Sequence, residues 1–554
     1  MEPTAFRQTF ESIKQIDTKE GPSRNIFEPR FQAREQAVTL RDAVYNAFRE
    51  NSSKSALMQL AKLLLFLGMN HFETEEVAEG ELLLRRAFLA AKSCVTNELV
   101  DPTTVDPPTV REIVGAPDTD VSVADNESIE VWMEALNTIG VFLSNRSSDP
   151  TAVQDARRVL HAAEDVYLSV NGKPVQNRLE SMMTSTVYFL AQAYGAAGDG
   201  VKSARYVHDT MVRQLQTEVE FSKQSWATNA VHLAAYYAGE QHFGYALHCL
   251  ECAEVVMPSE PASEETVGVV AWGFGKFWKT ILREGARRKE EGCEMASAAG
   301  VPWWKDLPVP GVSPPTRVAV AVDFESARTV FQKAVRALQT AGQYYTYENC
   351  CPDFIAIQQD IADCYKQLSY FEPDVERKAA MLQRRIDGLE RFPSELSFQA
   401  YATLVRQLWY DLGESAVDLF DLRLSQRERR EGHPLSVRQL NYLCRQAMAF
   451  FQKFLDTLRD KSGQMPTVVD SDLRVPVFRV MMRLARMNGK IISKSAESEY
   501  EVVRHTIELY DSVLVFVENN KVASVSEVET EVSLARQMKE LLPGKLRDLR
   551  RAFH

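Results

Sequence analysis

The segment GFGKFWK at residues 273–279 is the part of the chain closest to a phosphate-binding loop, because Lys276 directly follows Gly275. A loop of this kind needs the spacing G-x-x-x-x-G-K followed by Ser or Thr, so that backbone N–H groups and the lysine surround the phosphates. Here Phe277 follows the lysine, and the surrounding residues have helical periodicity. We therefore interpret the segment as part of a helix.

His248, Cys249 and Cys252 could form one corner of a metal site. A structural zinc site needs a second pair of ligands at comparable spacing, and the sequence offers none. Cys350 and Cys351 are adjacent, without a supporting His or Cys nearby. The motifs H-E-x-x-H and G-x-S-x-G do not occur either. We therefore expect buried thiols, no metal, no cofactor and no enzymatic activity.

Composition narrows the possible partners. The chain has 554 residues with 64 Lys and Arg against 76 Asp and Glu, a net charge of −12. This balance argues against nucleic acid, whose phosphates need clustered cations, and is compatible with a basic protein partner. The N-terminal segment MEPTAFRQTFESIKQ lacks the apolar stretch of a signal peptide, and apolar runs such as 63–67 are far shorter than a membrane span. We expect a soluble intracellular protein without membrane insertion.

An internal repeat determines the expected architecture. Residues 230–258 reproduce the 34-residue tetratricopeptide (TPR) pattern without insertion when Ala230 is counted as position 4. Small residues at positions 8 and 20 let two antiparallel helices approach closely, and Pro258 at position 32 ends the second helix. The residues at positions 7, 8, 11, 20, 24 and 27 are Leu233, Ala234, Tyr237, Ala246, Leu250 and Ala253.

Three weaker copies of this pattern precede it. Each alone is compatible with an ordinary helical hairpin, but four copies in order predict an all-α, TPR-like α-solenoid. The matching residues are Leu67, Gly68, Gly80, Leu84 and Ala87 in the first copy, Ile139, Gly140, Ala156, Leu160 and Ala163 in the second, and Leu190, Ala191, Tyr194, Ala204, His208 and Met211 in the third.

The chain is predicted to consist of four segments. Residues 1–55 are an N-terminal helical segment that matches poorly, and residues 56–258 are a TPR array with a loop at 94–128. Residues 259–318 contain a linking helix and a Pro-rich tether, and residues 319–554 form a second helical array. Helices are expected at 264–292, 322–349, 353–369, 373–391, 396–424, 436–460, 474–493, 496–518 and 525–550, and the tether at 296–316.

The expected binding surface is the groove that the first helices of successive TPR repeats line. Polar and aromatic side chains on such a concave face recognise a peptide or a helix. The residues in these positions that the repeat does not use for packing are Phe189, Gln192, Asn229 and His232, and Gln214 lies near the end of the intervening second helix, where it can reach the rim.

Several strings of the sequence, in order, resemble the kinesin-binding protein (KIF-binding protein) family of TPR-like inhibitors of kinesin motors. The ordered set extends from about residue 60 to the C-terminus and is more specific than any single string. The strings are LGMNHFETEE at 67–76, YFLAQAY at 188–194, RQL at 213–215, WATNAVHLAAYY at 226–237, DFESAR at 323–328, YFEPDVERKAAMLQRRIDGLE at 370–390, FFQKFLDTLRD at 450–460, RMNGKII at 486–492 and ELLPGKLRDLR at 540–550.

This resemblance implies a right-handed TPR solenoid in two halves joined by a linking helix. It also implies that the concave face clasps a kinesin motor domain and blocks its microtubule attachment, with Phe189, Gln192, Gln214 and His232 among the contacts. Two residues depart from the family pattern, since Phe189 stands where Tyr is expected and His232 where Thr is expected. We expect a monomer that is cytoplasmic and associated with the cytoskeleton.

Two further hypotheses concern the groove. An acidic groove could attract a basic motor surface, with Glu73, Glu75, Glu76, Glu218 and Glu220 near the repeat turns contributing. For each of these residues alone, a solvated position in a turn is the simpler interpretation. The alternative function is a TPR scaffold or co-chaperone that binds short peptides. A carboxylate clamp of that type would place Lys, Asn and Arg on the first helices, whereas the best repeat supplies only an Asn.

Overall fold

The structure is a computed structural model, and it describes residues 2–19, 26–115, 117, 119–122, 124–146, 150–172, 175–216, 221–257, 264–292, 304–430, 432–460, 462–522 and 526–553. Within these ranges the regular structure is α-helical, with short 3-10 segments and no β-strand. This confirms the predicted all-α, solenoid-like fold. The chain forms two compact units.

The first unit comprises Met1–His242, Glu251–Val256 and Ala299–Pro314. Most of its helices pack on the helix before them, and α3, α6 and α8 also pack on one another in turn, as the first helices of stacked hairpins do. Its complete helices are α1 (Pro3–Asp17), α2 (Glu28–Asn51), α3 (Lys54–Glu73), α4 (Val77–Thr96), α5 (Val110–Gly115), α6 (Asn126–Ser144), α7 (Pro150–Ser169), α8 (Gln176–Ala196), α9 (Gly200–Gln216) and α10 (Lys223–Gly239).

The second unit comprises Phe243–Leu250, Met257–Ala298 and Pro315–His554, so α11 (Phe243–Val256) is divided between the two units. Here too, successive helices pack in chain order, and α12 contacts both α13 and α14. The other helices are α12 (Glu264–Glu291), α13 (Phe324–Tyr344), α14 (Cys351–Ser369), α15 (Val375–Asp387), α16 (Phe392–Glu395), α17 (Phe398–Arg429), α18 (Val437–Asp456), α19 (Arg474–Gly489), α20 (Ala496–Asn520) and α21 (Glu529–Phe553).

Glycines at the repeat positions hold paired helices close together. A Cβ at Gly80 of α4 would lie 2.7 Å from the carbonyl oxygen of Gly68 in α3, so the two backbones are in contact. A Cβ at Gly140 of α6 would lie 2.5 Å from Cδ2 of Leu160 in α7. The second unit repeats the arrangement, with Gly413 of α17 against the ring of Phe451 in α18. The small residues predicted at these positions in α3, α4 and α6 therefore serve close packing.

The contact at Gly80 can be tested by adding one methyl group. Gly80→Ala is expected to lower the free energy of unfolding of the first unit by about 1–3 kcal/mol, because its Cβ meets backbone that cannot rotate away. The measurement is urea unfolding followed by circular dichroism. Gly342→Ala in α13 is the matched control, since a Cβ there meets nothing within 4 Å. The control is expected to be neutral or to add up to about 1 kcal/mol through helix propensity; equal stability of the two variants would contradict the contact.

The best TPR repeat is confirmed at its packing positions. Leu233, Ala234 and Tyr237 of α10 are buried, as are Ala246, Leu250 and Ala253 of α11. Pro258, expected to end the second helix, lies outside the described residues. The expected linking helix is confirmed as α12 at Glu264–Glu291, and the expected helices of the second array are confirmed as well, most closely α20 at Ala496–Asn520. The segment boundaries and the handedness of the solenoid remain predictions.

Two segments expected to be irregular have more structure than composition suggested. The predicted loop at 94–128 contains α5, and the Arg85 guanidinium donates to the carbonyls of Pro107 and Pro108 at 3.0 and 2.7 Å. In the predicted tether, residues 296–303 lie outside the described residues. Beyond them, Leu307 and Val309 are buried in the first unit. Apolar residues in that Pro-rich stretch therefore make tertiary contacts.

Candidate functional site

Three consecutive helices of the first unit, α8, α9 and α10, carry all five predicted binding residues. α8 buries Met183, Val187 and Leu190, at spacings of four and three residues, and so leaves the opposite helix face open. Ser222 caps the N-terminus of α10, because its side chain accepts a hydrogen bond from the backbone N–H of Ser225. The buried Trp226 indole then donates to the Met211 carbonyl at 3.2 Å, which fixes α10 against α9.

Two neighbouring depressions open on these helices. The first has a volume of about 560 Å³ and contains Phe189 and Gln192, and the second, of about 530 Å³, contains Gln214 and Asn229. Tyr188 lines both, and we call the two together the central groove. The remaining lining residues are Ser144, Asn145, Ala191, Gly195, Ala196, Ser203 and Val207 in the first, and Thr184, Ser185, Thr210, Gln224, Ser225 and Thr228 in the second.

The five predicted residues differ in exposure and in their capacity to form hydrogen bonds with a partner. Gln192 is exposed, Asn229 is partly buried, and His232 is exposed but lines neither depression. The Oε1 atom of Gln214 is buried and accepts no hydrogen bond from the described residues. An acceptor that has already lost its water gains most from a donor supplied by a partner.

Phe189 corrects one expectation. The repeat pattern placed it outside the packing positions, yet its ring packs against the small cluster of Leu160, Leu190 and Tyr194. Its other neighbour is Tyr188, whose ring lies edge-on at 5.1 Å between centroids. A ring held on one side by the core and on another by Tyr188 presents a fixed edge to the first depression.

The groove lacks the acidic character expected from the sequence. None of the described residues that line the two depressions is charged, although 25% of the chain is. Glu73 and Glu76 form ion pairs with Arg30 and Arg34 of α2. The hydrogen bond from Arg34 lowers the pKa of Glu76, whereas burial raises that of Glu73.

Of the other acidic residues near the repeat turns, Glu75 is exposed, and Glu218 and Glu220 lie outside the described residues. Helix periodicity alone does not predict the charge of a groove, because acidic side chains can form ion pairs with basic residues that are distant in the sequence.

Sequence reasoning missed Tyr188, an exposed aromatic residue that belongs to both depressions. It lies four residues before Gln192 on α8, and Thr184 lies four residues earlier again, so the three share one helix face. Both Tyr188 and Thr184 could have been found from the sequence, because residues four and eight positions before Gln192 share its helix face. Thr210 of α9 lies four residues before Gln214 and could have been found in the same way.

The residues first considered for chemistry have other roles. Gly275 is inside α12, where a Cβ would lie 2.6 Å from Leu338 of α13, and the Lys276 ammonium lies 3.7 Å from the ring centroid of Trp272. The segment is therefore a packed helix rather than a phosphate loop. His248, Cys249 and Cys252 are buried. Among the residues that the structure describes, no His, Cys, Asp and Glu group could hold a metal ion, and no helix is long and apolar enough to cross a membrane.

The buried thiols predict a pH dependence of stability. Burial raises the pKa of Cys94 and Cys252 to about 12 and that of Cys444 to about 11. Unfolded thiols titrate near about 8.5, so above that pH the unfolded chain loses protons that the folded chain keeps. Stability is therefore expected to fall as the pH rises through about 9 to 11.

Urea unfolding across this pH range measures the effect. The Cys94→Ala, Cys252→Ala, Cys444→Ala triple variant is the comparison, since tyrosine and lysine titration is common to both proteins. An identical pH slope for wild type and variant would rule out the thiols as its source.

Together the fold and the groove define a TPR-like helical-repeat protein. The family model described as "KIF-1 binding protein C terminal" matches residues 279–549. The KIF-binding protein of Danio rerio is 28% identical over 89% of this chain and 83% of its own length. That of Homo sapiens is 26% identical over 89% and 84%. A solved structure titled "Kinesin binding protein (KBP)" superposes with a TM-score of 0.61 at 23% identity, covering 98% of each chain.

The chain is thus similar to the KIF-binding protein family along most of its length. The family model lies mostly in the second unit, whereas the matches to whole relatives also include most of the first. The structural match extends the shared fold over both. The groove therefore lies within the part of the chain that resembles these relatives.

Proposed function

We propose that this chain binds kinesin motor domains in the central groove and thereby prevents them from attaching to microtubules. The observation that carries the proposal is the similarity to KIF-binding proteins along about nine-tenths of the chain. The groove supports it as the contact surface, because it combines fixed aromatic edges with hydroxyl and amide groups. The protein acts as a binding protein without catalysis, as a cytoplasmic, cytoskeleton-associated monomer.

The proposed mechanism is steric. A motor domain is larger than either depression, so only part of its surface enters the groove while the flanking helices cover more of it. Where the covered surface includes the microtubule contact of the motor domain, this chain and the microtubule compete for the same face of the motor domain. Recognition through Tyr188, Gln192 and Gln214 would depend on hydrogen-bond geometry and shape more than on net charge.

Two measurements test the proposal. The full chain is mixed with isolated kinesin motor domains and analysed by size-exclusion chromatography, and the motor domains are then pelleted with microtubules at increasing concentrations of the chain. We expect a stable complex and progressive loss of the motor domain from the pellet. Absence of a complex with every motor domain tried would refute binding, and a complex that still pellets would refute microtubule competition.

The peptide-scaffold alternative receives less support from the groove. A carboxylate clamp holds a chain terminus with Lys or Arg side chains, and the described lining residues of both depressions include neither. A C-terminal peptide that competes with the motor domain for the groove would reverse this preference.

A further inference from the structure

Residues 304–314, here called the strap, are an irregular segment that belongs to the first unit. The Trp304 ring lies 4.5 Å from the ring of His208 in α9 and 5.5 Å from that of Tyr237 in α10, measured between centroids. Leu307 and Val309 are 3% and 5% exposed. The strap is thus held by three apolar side chains.

Two polar contacts fix the strap on α9. The Lys305 carbonyl lies 2.6 Å from Nε2 of His208, and because a carbonyl can only accept, this nitrogen carries the proton and donates. The Lys305 ammonium pairs with Asp209 at 3.2 Å. His208 is fully buried, so its hydrogen bond is protected from competition with water.

The strap and the central groove contact different faces of α9. Ser203, Val207, Thr210 and Gln214, spaced by four, three and four residues, line the groove. His208 and the buried Ala204 and Met211 are on the face that packs inward. The helix has only 17 residues and otherwise packs on α8 and, less extensively, on α10.

We infer that the strap positions the groove: by holding the back of α9 through Trp304 and Lys305, it keeps Val207 and Gln214 at the height and rotation at which they meet a partner. The inference rests on the proposed function and extends it to a means of regulation. Hydrogen-bond strength falls steeply with misalignment, so a rotation of α9 that leaves its fold intact is enough to lose those contacts. Whatever displaces the strap would then weaken motor binding without touching the groove.

The test uses four variants of the full chain. Leu307→Asp places a charge in a buried position and should release the strap, and Trp304→Ala should release it more gently. Trp304→Phe keeps an aromatic ring and should restore wild-type behaviour. Pro310→Ala, at an exposed position of the same segment, is the control. Circular dichroism and thermal melting first establish that each variant is folded.

Hydrogen exchange of the free protein and motor-domain binding kinetics are the two readouts. We expect the releasing variants to exchange amide hydrogens faster across Gly200–Gln216. We also expect them to dissociate from the motor domain about tenfold or more faster, which is the effect of losing roughly one hydrogen bond. The Phe and Pro310 variants should match wild type in both.

Unchanged exchange in α9, or faster exchange with unchanged dissociation, would overturn the inference. The exchange experiment contains no motor domain, so it separates failure of the strap from failure of the proposed function. If wild type binds no motor domain, the proposed function and the regulatory role both fall, and faster exchange would support the mechanical role of the strap alone.

Discussion

A chain that carries Gln192→Ala together with Gln214→Ala is expected to bind kinesin motor domains about 30-fold more weakly than wild type. Each substitution removes a side-chain amide from one depression of the groove, at about 1 kcal/mol for an ordinary neutral hydrogen bond. The buried Oε1 atom of Gln214 should raise its share, because its desolvation cost is already included in the free protein. Biosensor titration with a purified motor domain measures the loss.

The matched control for this pair is Gln8→Ala with Gln537→Ala, which removes two exposed amides outside the groove. Both double variants should keep the helical content and melting temperature of wild type. If the groove variant lost helicity in proportion to binding, Gln192 and Gln214 would be structural residues and not contacts. Equal affinities for the two double variants would exclude the groove as the binding surface.

Isosteric acids in the groove are expected to weaken motor binding more than alanine does. Gln192→Glu combined with Asn229→Asp keeps the size of each side chain and adds two negative charges to a lining that has none among its described residues. A partner surface that complements amides and hydroxyls leaves these charges desolvated without counterions, at a cost of about 2–5 kcal/mol. The expected loss of affinity is therefore about 30-fold to 4000-fold.

This pair separates the two hypotheses about recognition. If attraction between an acidic groove and a basic motor surface dominated, the two added acids would strengthen binding, and wild-type affinity would fall steeply as salt is raised. Recognition by neutral hydrogen bonds predicts weaker binding for the variant and little salt dependence for wild type. Gln8→Glu with Gln537→Glu controls for the change in total charge.

The fold could be predicted from the sequence because helix packing requires residues of a particular size at each repeat position. Gly68, Gly80 and Gly140 occupy places where a side chain would collide with the neighbouring helix, and a fixed spacing reveals them. The span of α12 followed from helix periodicity over residues 264–292 to within one residue. These features depend on short-range spacing, which a single sequence contains.

The site could be predicted only in part. Four of the five expected residues line the central groove, because helix periodicity assigns a face. The pairing of Glu73 with Arg30, 43 residues earlier, could not be predicted from spacing, and neither could the uncharged lining of the two depressions. The strap was missed for a similar reason. Its prolines indicated a linker, whereas the contacts of Trp304 depend on His208 and Tyr237, far away in sequence.

The backbone contact between Gly68 and Gly80 also bears on how far such a chain can diverge. Where two helices touch through glycine, nearly every substitution is excluded, whereas the outward faces of the same helices accept many residues. The helix crossings therefore restrict the sequence more strictly than the exposed faces do. A common fold at a TM-score of 0.61 with 23% identity is compatible with such uneven restriction. We accordingly expect the fewest tolerated substitutions at the glycines where two helices cross in contact.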